Sequence, residues 1–384
     1  MRERGRSGRL AGRRRGPLAT VTEDGDSADI DVDALRHIHI DVTEGHQDSH
    51  GCLRIVDRRF AQIEVEISQD SGHTSHVDRK GRDRESVVLP TALVKERSAG
   101  DEEAARQWLR SVAGIVEEAA GRWHLDVDED ELMHGWFAVV VPVHRGDEAC
   151  VLKVSQLTEA VAAEALALSA WDGNGAVRLL DADPGAGVLL LERLDPRRSL
   201  FDLPWTDAAE VAAALLRRLA SVAAPPGVPS LRQIAETIAD SLPERNASAG
   251  APVPEPYLEA AVGLALEIGA DAGDRLVHAD LHYGNVLAGE REPWLAIDPR
   301  AVSGDPEHAV PELLWTRLDE VGSAAGLRRL MAILVRNGDL NPELARNWSI
   351  VRCVDYWLWG LEHGLTEDPK RCRRIIEILT GTPA

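Results

Sequence analysis

His278-Ala279-Asp280-Leu281-His282-Tyr283-Gly284-Asn285 is the stretch on which the reading of this chain turns. Leu276 and Val277 precede it, Val286 and Leu287 follow it, and Gly284 lies inside it. Apolar residues on both sides of a polar, glycine-containing centre predict a short strand, a tight loop and a second short strand. A further strand is expected at Trp294-Leu295-Ala296-Ile297, ending on Asp298-Pro299. The polar residues set out this way are a carboxylate, an amide and a second carboxylate: Asp280, Asn285 and Asp298. Oxygen donors of this kind suit a hard divalent cation, and a carboxylate beside it can take a proton from a hydroxyl. A plain polar hairpin would account for one of these features, not for their agreement in type, order and strand context.

Phosphoryl transfer asks for these three groups. The five-residue step from Asp280 to Asn285 equals the Asp-to-Asn step of the kinase loop H-R-D-L-x-x-x-N. On this reading Asp280 orients an acceptor hydroxyl and receives its proton, while Asn285 and Asp298 hold Mg²⁺ against the phosphates of ATP. His278 braces the loop. Upstream, 132–143 and 149–154 read as strands joined by the turn Arg145-Gly146-Asp147, and the second strand carries Lys153 among Val151, Leu152 and Val154. The chain has four lysines against thirty-nine arginines, so a lysine in such a place carries weight. In the kinase scheme it holds the α- and β-phosphates. Glu164 lies in the predicted helix 158–171 among Ala162, Ala163, Ala165 and Leu166. An inward carboxylate there needs a partner, and Lys153 is the natural one. The alternatives are a solvent-facing Glu164, or Glu159 as the partner.

The stretch 278–285 followed by Ala296-Ile297-Asp298-Pro299 resembles the aminoglycoside/hydroxyurea antibiotic resistance kinases. Leu189-Leu190-Leu191-Glu192-Arg193-Leu194-Asp195-Pro196 and the segment 354–369, from Val354-Asp355-Tyr356-Trp357 to Glu367-Asp368-Pro369, are similar to that family too. The resemblance spans about 87–384. It implies an α+β, two-lobed, protein-kinase-like fold: a small antiparallel-sheet N-lobe over 87–195 and a mostly helical C-lobe over 196–384. It also implies ATP and Mg²⁺ as cofactors and an aminoglycoside such as streptomycin as acceptor, with hydroxyurea second. Glu192-Arg193-Leu194 would be the lobe connector, binding nucleotide through Glu192 and Leu194, whose backbone groups meet the adenine edge. The C-terminal region would build the acceptor pocket. There Asp355 and Glu362 stand seven residues apart with Trp359 between them, one stripe of the predicted helix 342–363. Carboxylates and an indole face suit a guanidinium-bearing sugar. The alternative is that much of this helix is core and that Asp355 pairs with a nearby arginine.

The chain departs from the pattern at three places. The phosphate-covering turn Met133-His134-Gly135-Trp136-Phe137 has one glycine, so either Trp136 or Phe137 covers the nucleotide in its place or the loop is looser. Ala279 stands where glycine is common. After Gly304-Asp305-Pro306-Glu307, Ala309 replaces an acidic residue, leaving Asp305 and Glu307 to hold the loop.

Composition sets the outer limits. With 384 residues, 44% of them hydrophobic, the chain can bury a large core. A net charge of −21 argues against a nucleic-acid partner and allows a cationic small molecule, the expected substrate. No apolar run approaches the roughly 18 residues of a membrane span. Cys52, Cys150, Cys353 and Cys372 show neither C-x-x-C spacing nor a disulfide pattern, as expected for reduced thiols in a cytoplasm. Residues 1–86 are unlike the rest. A basic start has no apolar run after it, and His37, His39, His46, His50, His73 and His76 repeat no ligand spacing. This extension is expected to be poorly ordered, or an over-extended gene start with the working protein beginning near Val87 or Val88. Helices are expected at 101–123, 206–224, 231–242, 257–269, 311–319, 324–336, 342–363 and 369–379. The oligomeric state is open. The rival functions are a kinase of another acceptor and a nucleotide-binding pseudokinase; the second would lack one of Lys153, Asp280, Asn285 or Asp298, and all four are present.

Overall fold

The structure, a computed structural model, describes residues 54–55, 102–128, 133–134, 138–156 and 159–381. All of them belong to one compact unit, Ser49–Ala384. The expectations for the rest of 1–86, and those for Trp136 and Phe137, fall outside the described residues.

The first half is built on one antiparallel sheet. Its strands are β1 (Arg54–Ile55), β2 (Asp126–Val127), β3 (Met133–His134), β4 (Ala138–Arg145), β5 (Glu148–Ser155), β6 (Leu179–Asp183) and β7 (Val188–Glu192). The order is β1-β3-β4-β5-β7-β6, with β2 also on β4. Helix α1 (Glu102–Trp123) covers one face. Period-two alternation decides which side chains meet it. Val139, Val141 and Val143 of β4, Cys150, Leu152 and Val154 of β5, and Val188 and Leu190 of β7 pack with Leu109, Val112, Val116 and Ala119 of α1. Burying each leucine or valine contributes about 1.5–3 kcal/mol, so a charge at the fully buried Val112 would split helix from sheet. The intervening residues, Val140, Val151, Leu189 and Leu191, face the other way and join the larger core. Lys153 pairs in register with Val140 and Leu189, so it shares that second face. Helix α2 (Glu159–Trp171) lies on the same side, with Ala163, Ala165, Ala167, Leu168 and Trp171 in the larger core.

After β8 (Asp195–Ser199) the chain is mainly helical. Helices α3 (Trp205–Leu219), α4 (Leu231–Ser248) and α5 (Glu255–Ala270) precede four short strands. These are β9 (Arg275–His278), β10 (Val286–Ala288), β11 (Leu295–Ala296) and β12 (Ala301–Gly304). Then come α6 (Val310–Trp315), α7 (Leu318–Val321), α8 (Ala324–Gly338), α9 (Pro342–Glu362) and α10 (Glu367–Thr380). The α+β, two-lobed, protein-kinase-like architecture is thus present, an antiparallel-sheet N-lobe and a helical C-lobe.

One element differs in kind from the sequence reading, and bounds shift elsewhere: α3, expected to reach 224, ends at Leu219, and α4, expected to end at 242, runs to Ser248. The helix expected over 311–319 is two helices, α6 and α7, separated at Thr316-Arg317. The Arg317 guanidinium is buried there, donating to the carbonyls of Leu200, Phe201 and Leu203 from outside any helical pattern. The stretch 276–287 is a strand-loop-strand, but its strands do not pair with each other. Strand β9 pairs with β12, from Ala301 opposite His278 to Gly304 opposite Arg275. Strand β10 pairs with β11 and β8. Gly304 is required on β12 because a Cβ would stand 2.4 Å from the Leu231 side chain at the start of α4.

Candidate active site

The loop between β9 and β10 is fixed by its own polar groups. Asn285 Nδ2 donates to the carbonyl of Asp280 at 2.9 Å, which leaves Oδ1 as the ligating atom of that amide. The His282 amide donates to the same carbonyl, and His282 Nδ1 accepts from the Gly284 amide at 3.1 Å. The Ile297 amide donates to the Asn285 carbonyl at 2.9 Å, so the segment reaching Asp298 is tied to the loop. His278 completes the bracing. A carbonyl can only accept, so the 2.9 Å contact with the Ile297 oxygen places the proton on Nε2, and Nδ1 accepts from the Asp280 amide at 3.3 Å. Burial holds this imidazole below its ordinary pKa, in keeping with a neutral ring. Its outer face stacks on Trp171 at 6.1 Å.

Lys153 and Glu164 meet as expected from the strand and helix that carry them. Lys153 Nζ donates to both Glu164 oxygens at 2.6 and 2.7 Å, and to Asp298 Oδ1 at 2.6 Å. Lys153 and Glu164 are 7% and 5% exposed, so neither would be left ionised without the other. Burial pushes the Glu164 carboxyl up, while Lys153 pulls it down. Burial also works against the charge on Asp298, but Lys153 outweighs it and holds this carboxyl below its usual range. Asp298 has φ +55°, the left-handed region that a non-glycine residue enters at a cost of about 1–2 kcal/mol. This turn reverses the chain from β11 into β12 and presents the carboxylate, half exposed, to the lysine across the cleft. Asn285 Oδ1 and Asp298 are two oxygen donors. Mg²⁺ takes few protein ligands and completes its shell with water and phosphate, so the pair fits that ion. Among the described residues no cluster of His, Cys, Asp and Glu could hold a metal by itself.

The Asp280 side chain is 23% exposed, and the Arg300 Nε lies 3.6 Å from its Oδ2. Behind the loop, Arg352 donates to Glu312 and reaches the Ala279 carbonyl at 3.5 Å. Burial pushes the Glu312 carboxyl up to about 8, although Arg352 pulls it down. Asp305 accepts from the Gly273 amide and from Trp348 Nε1, and Glu307 accepts from the Asn341 amide. Both therefore anchor loops, and Ala309 is fully buried apolar packing. At the lobe connector the Glu192 carboxylate is held by Arg291 at 3.0 Å and by the Arg178 amide at 3.1 Å. Its amide is engaged as well, donating to the Arg178 carbonyl at 3.0 Å. Arg193 ties the connector to the N-lobe through Asp128 and the carbonyls of Val143 and Cys150. Leu194 packs beside Gly289.

The stripe on α9 is occupied from within the chain. Arg245 of α4 donates to Asp355 Oδ1 at 2.6 Å and to Glu362 Oε1 at 2.8 Å. Trp359 lies between Tyr356 and His363, at 5.4 and 4.1 Å, and Tyr356 stacks on Trp315 at 4.6 Å. Arg352 stands over Trp315 on the same helix face, so this aromatic row runs outward from the Asp280 loop. The arginine partner that the sequence reading held as the alternative for Asp355 is thus Arg245, though nothing in the sequence named it; sequence reasoning missed Arg300, Arg352 and Glu312. Arg300 alone left a signal, a cation two residues after Asp298.

Comparison with known proteins agrees with this geometry. The profile of the aminoglycoside/hydroxyurea antibiotic resistance kinases matches residues 122–364. A hydroxyurea phosphotransferase of Kitasatospora aureofaciens is 41% identical over 77% of this chain and 86% of its own length. A streptomycin 6-kinase of Streptomyces griseus is 37% identical over 73% of this chain and 93% of its own. Among solved structures, the aminoglycoside phosphotransferase APH(4)-Ia shares the fold with a TM-score of 0.50 at 17% identity, covering 71% of this chain and all of the other. The chain belongs to the aminoglycoside/hydroxyurea antibiotic resistance kinase family, phosphotransferases that act on an alcohol group.

Proposed function

We propose that this chain transfers the γ-phosphoryl group of ATP to a hydroxyl of an aminoglycoside, streptomycin foremost. The observation that carries the chemistry is Lys153 bonded at once to Glu164 and Asp298, with Asp298 tied through Ile297 to the Asp280–Asn285 loop. Residues 87–195 would bind the nucleotide, with Lys153 on its phosphates, aligned by Glu164. The backbone around Glu192 and Leu194 would meet the adenine. Residues 196–384 would supply catalysis and the acceptor site. Asn285 and Asp298 would hold Mg²⁺, which when bound neutralises phosphate charge. Asp280 would orient the acceptor oxygen and take its proton. The acceptor class is supported by the relative named streptomycin 6-kinase; the Asp355 and Glu362 carboxylates, which would exchange Arg245 for the ligand, and Trp359 of the same helix would meet the acceptor.

Hydroxyurea is the second reading. Arg245 already pairs with both carboxylates and cancels half of their charge, which lessens the need for a cationic acceptor, and a relative carries that name. Purified protein with ATP and Mg²⁺ should release ADP in the presence of streptomycin, with the product located by ³¹P NMR. Release with hydroxyurea alone would establish the second reading. Nucleotide binding without release for either compound, or for a wider hydroxyl-bearing panel, would mean a pseudokinase.

A further inference from the structure

We propose that Arg300 is a catalytic residue of this enzyme, its guanidinium binding the non-bridging oxygens of the phosphoryl group in flight. The proposal rests on the placement of Asp280 and Asp298 given above. Arg300 follows Asp298 by two residues, and its carbonyl accepts the Ala279 amide at 3.0 Å. Its backbone is therefore pinned beside the residue that precedes Asp280. Its Nε stands 3.6 Å from Asp280 Oδ2, while Asp298 is held against Lys153 at 2.6 Å. The guanidinium thus lies by the acceptor-activating carboxylate and the metal-binding one, where the transferring group must pass.

Other arginines near the site behave differently. Arg352 is 14% exposed and bound to Glu312, and Arg317 is 3% exposed and bound to three carbonyls. Those are structural. The Arg300 side chain is 64% exposed, and the distance from its Nε to Asp280 Oδ2 is longer than the about 2.7–2.9 Å of a charge-assisted hydrogen bond. An exposed pair of this kind contributes little to stability. What it does is keep a largely exposed cation beside Asp280, within reach of phosphate oxygens in the two-pronged geometry a guanidinium offers.

The step balances without any other reactant. The acceptor oxygen forms a bond to the γ-phosphorus. The bond from that phosphorus to the β–γ bridging oxygen breaks, and its electron pair leaves on ADP. The acceptor proton passes to the Asp280 carboxylate. Arg300 stays protonated throughout and donates hydrogen bonds to the equatorial oxygens as charge spreads over them, the role of the arginine that completes other phosphoryl-transfer sites.

The test uses the full chain with Arg300→Gln, Arg300→Lys and Asp280→Asn, and whichever of streptomycin and hydroxyurea drives turnover. Arg300→Gln should lower kcat about a hundredfold or more while KM for ATP and the affinity for ADP stay within about twofold. Wild type should bind ADP more tightly when aluminium fluoride and acceptor are present; Arg300→Gln should lose that gain. Arg300→Lys should recover part of both. Wild-type kcat in Arg300→Gln beside an inactive Asp280→Asn would overturn the proposal and leave the site standing. A parallel loss of kcat, ADP affinity and melting temperature would overturn it too, making Arg300 structural. Wild-type turnover in Asp280→Asn would overturn the site assignment itself.

Discussion

The two groups of charges proposed to hold the substrates are built differently. On the side proposed for the nucleotide, Lys153 and Glu164 are almost wholly buried and bonded to each other, with Asp298 added from the C-lobe. On the side proposed for the acceptor, Asp355 and Glu362 are 27% and 37% exposed in their side chains, and one arginine serves both. Buried charges tolerate no change of partner, because an unpaired one costs several kcal/mol. Half-exposed charges exchange partners with solvent or ligand at small cost. On the proposed assignment, the phosphoryl-transfer chemistry lies where the fold enforces it, and acceptor choice where side chains can change without unfolding the chain.

The comparison can be broken first at Asp280. Asp280→Ala should lower kcat by about a thousandfold, within the range for a lost general base, with nucleotide affinity unchanged by calorimetry. Wild-type kcat would remove the residue from its role. Next is Lys153→Ala, which should cost about a hundredfold in rate and, unlike Asp280→Ala, about 3 kcal/mol of stability in denaturant titration, since it strands Glu164 and Asp298. Stability equal to wild type would mean that the buried pair is not essential to the fold. On the other side, Asp355→Asn and Glu362→Gln should each raise KM for a cationic aminoglycoside about tenfold, leaving KM for ATP as it was. Unchanged values would move the acceptor site elsewhere in the C-lobe.

The smallest effect sharpens the contrast through pH. His278 and His308 are buried, and burial holds both below the ordinary imidazole value, His308 well below it. The unfolded chain therefore binds protons below about pH 6.5 that the fold refuses, and stability falls as pH drops through that value. The buried Glu164 and Glu312 carboxyls, raised in the fold, act in the opposite sense. The slope is best read as a difference. Between pH 7.5 and 5.5 wild type should lose about 1 kcal/mol relative to His308→Gln; parallel curves would show that the fold tolerates the charged ring.

The sequence made the near-neighbour chemistry legible. Asp280 and Asn285 are five residues apart, and Lys153 and Glu164 eleven, so strand and helix periods suffice to bring them together. What it could not show came from distance along the chain. Arg245 meets Asp355 and Glu362 across 110 and 117 positions, and Arg193 meets Asp128 across 65. No local pattern marks such partners in a chain with thirty-nine arginines. The separation of β9 and β10 into different sheets was hidden for the same reason, since both of their real partners follow the loop or lie far before it. The left-handed turn at Asp298 left no trace either, because proline follows it and the residue before a proline is normally extended.

That separation of β9 from β10 has a consequence for how the molecule fails. The loop 279–285 and the segment 297–300 both join the two small sheets, and the bonds from the Ile297 amide to Asn285 and from the Ala279 amide to Arg300 tie these two connections together. Neither sheet can fray without releasing Asp280 or Asn285. Hydrogen exchange at the amides of Ala279, Asn285 and Ile297 should then proceed as one cooperative unit, at the slow end of the C-lobe. Heat inactivation and loss of the C-lobe fold should share a single transition, with no crippled but folded species between them.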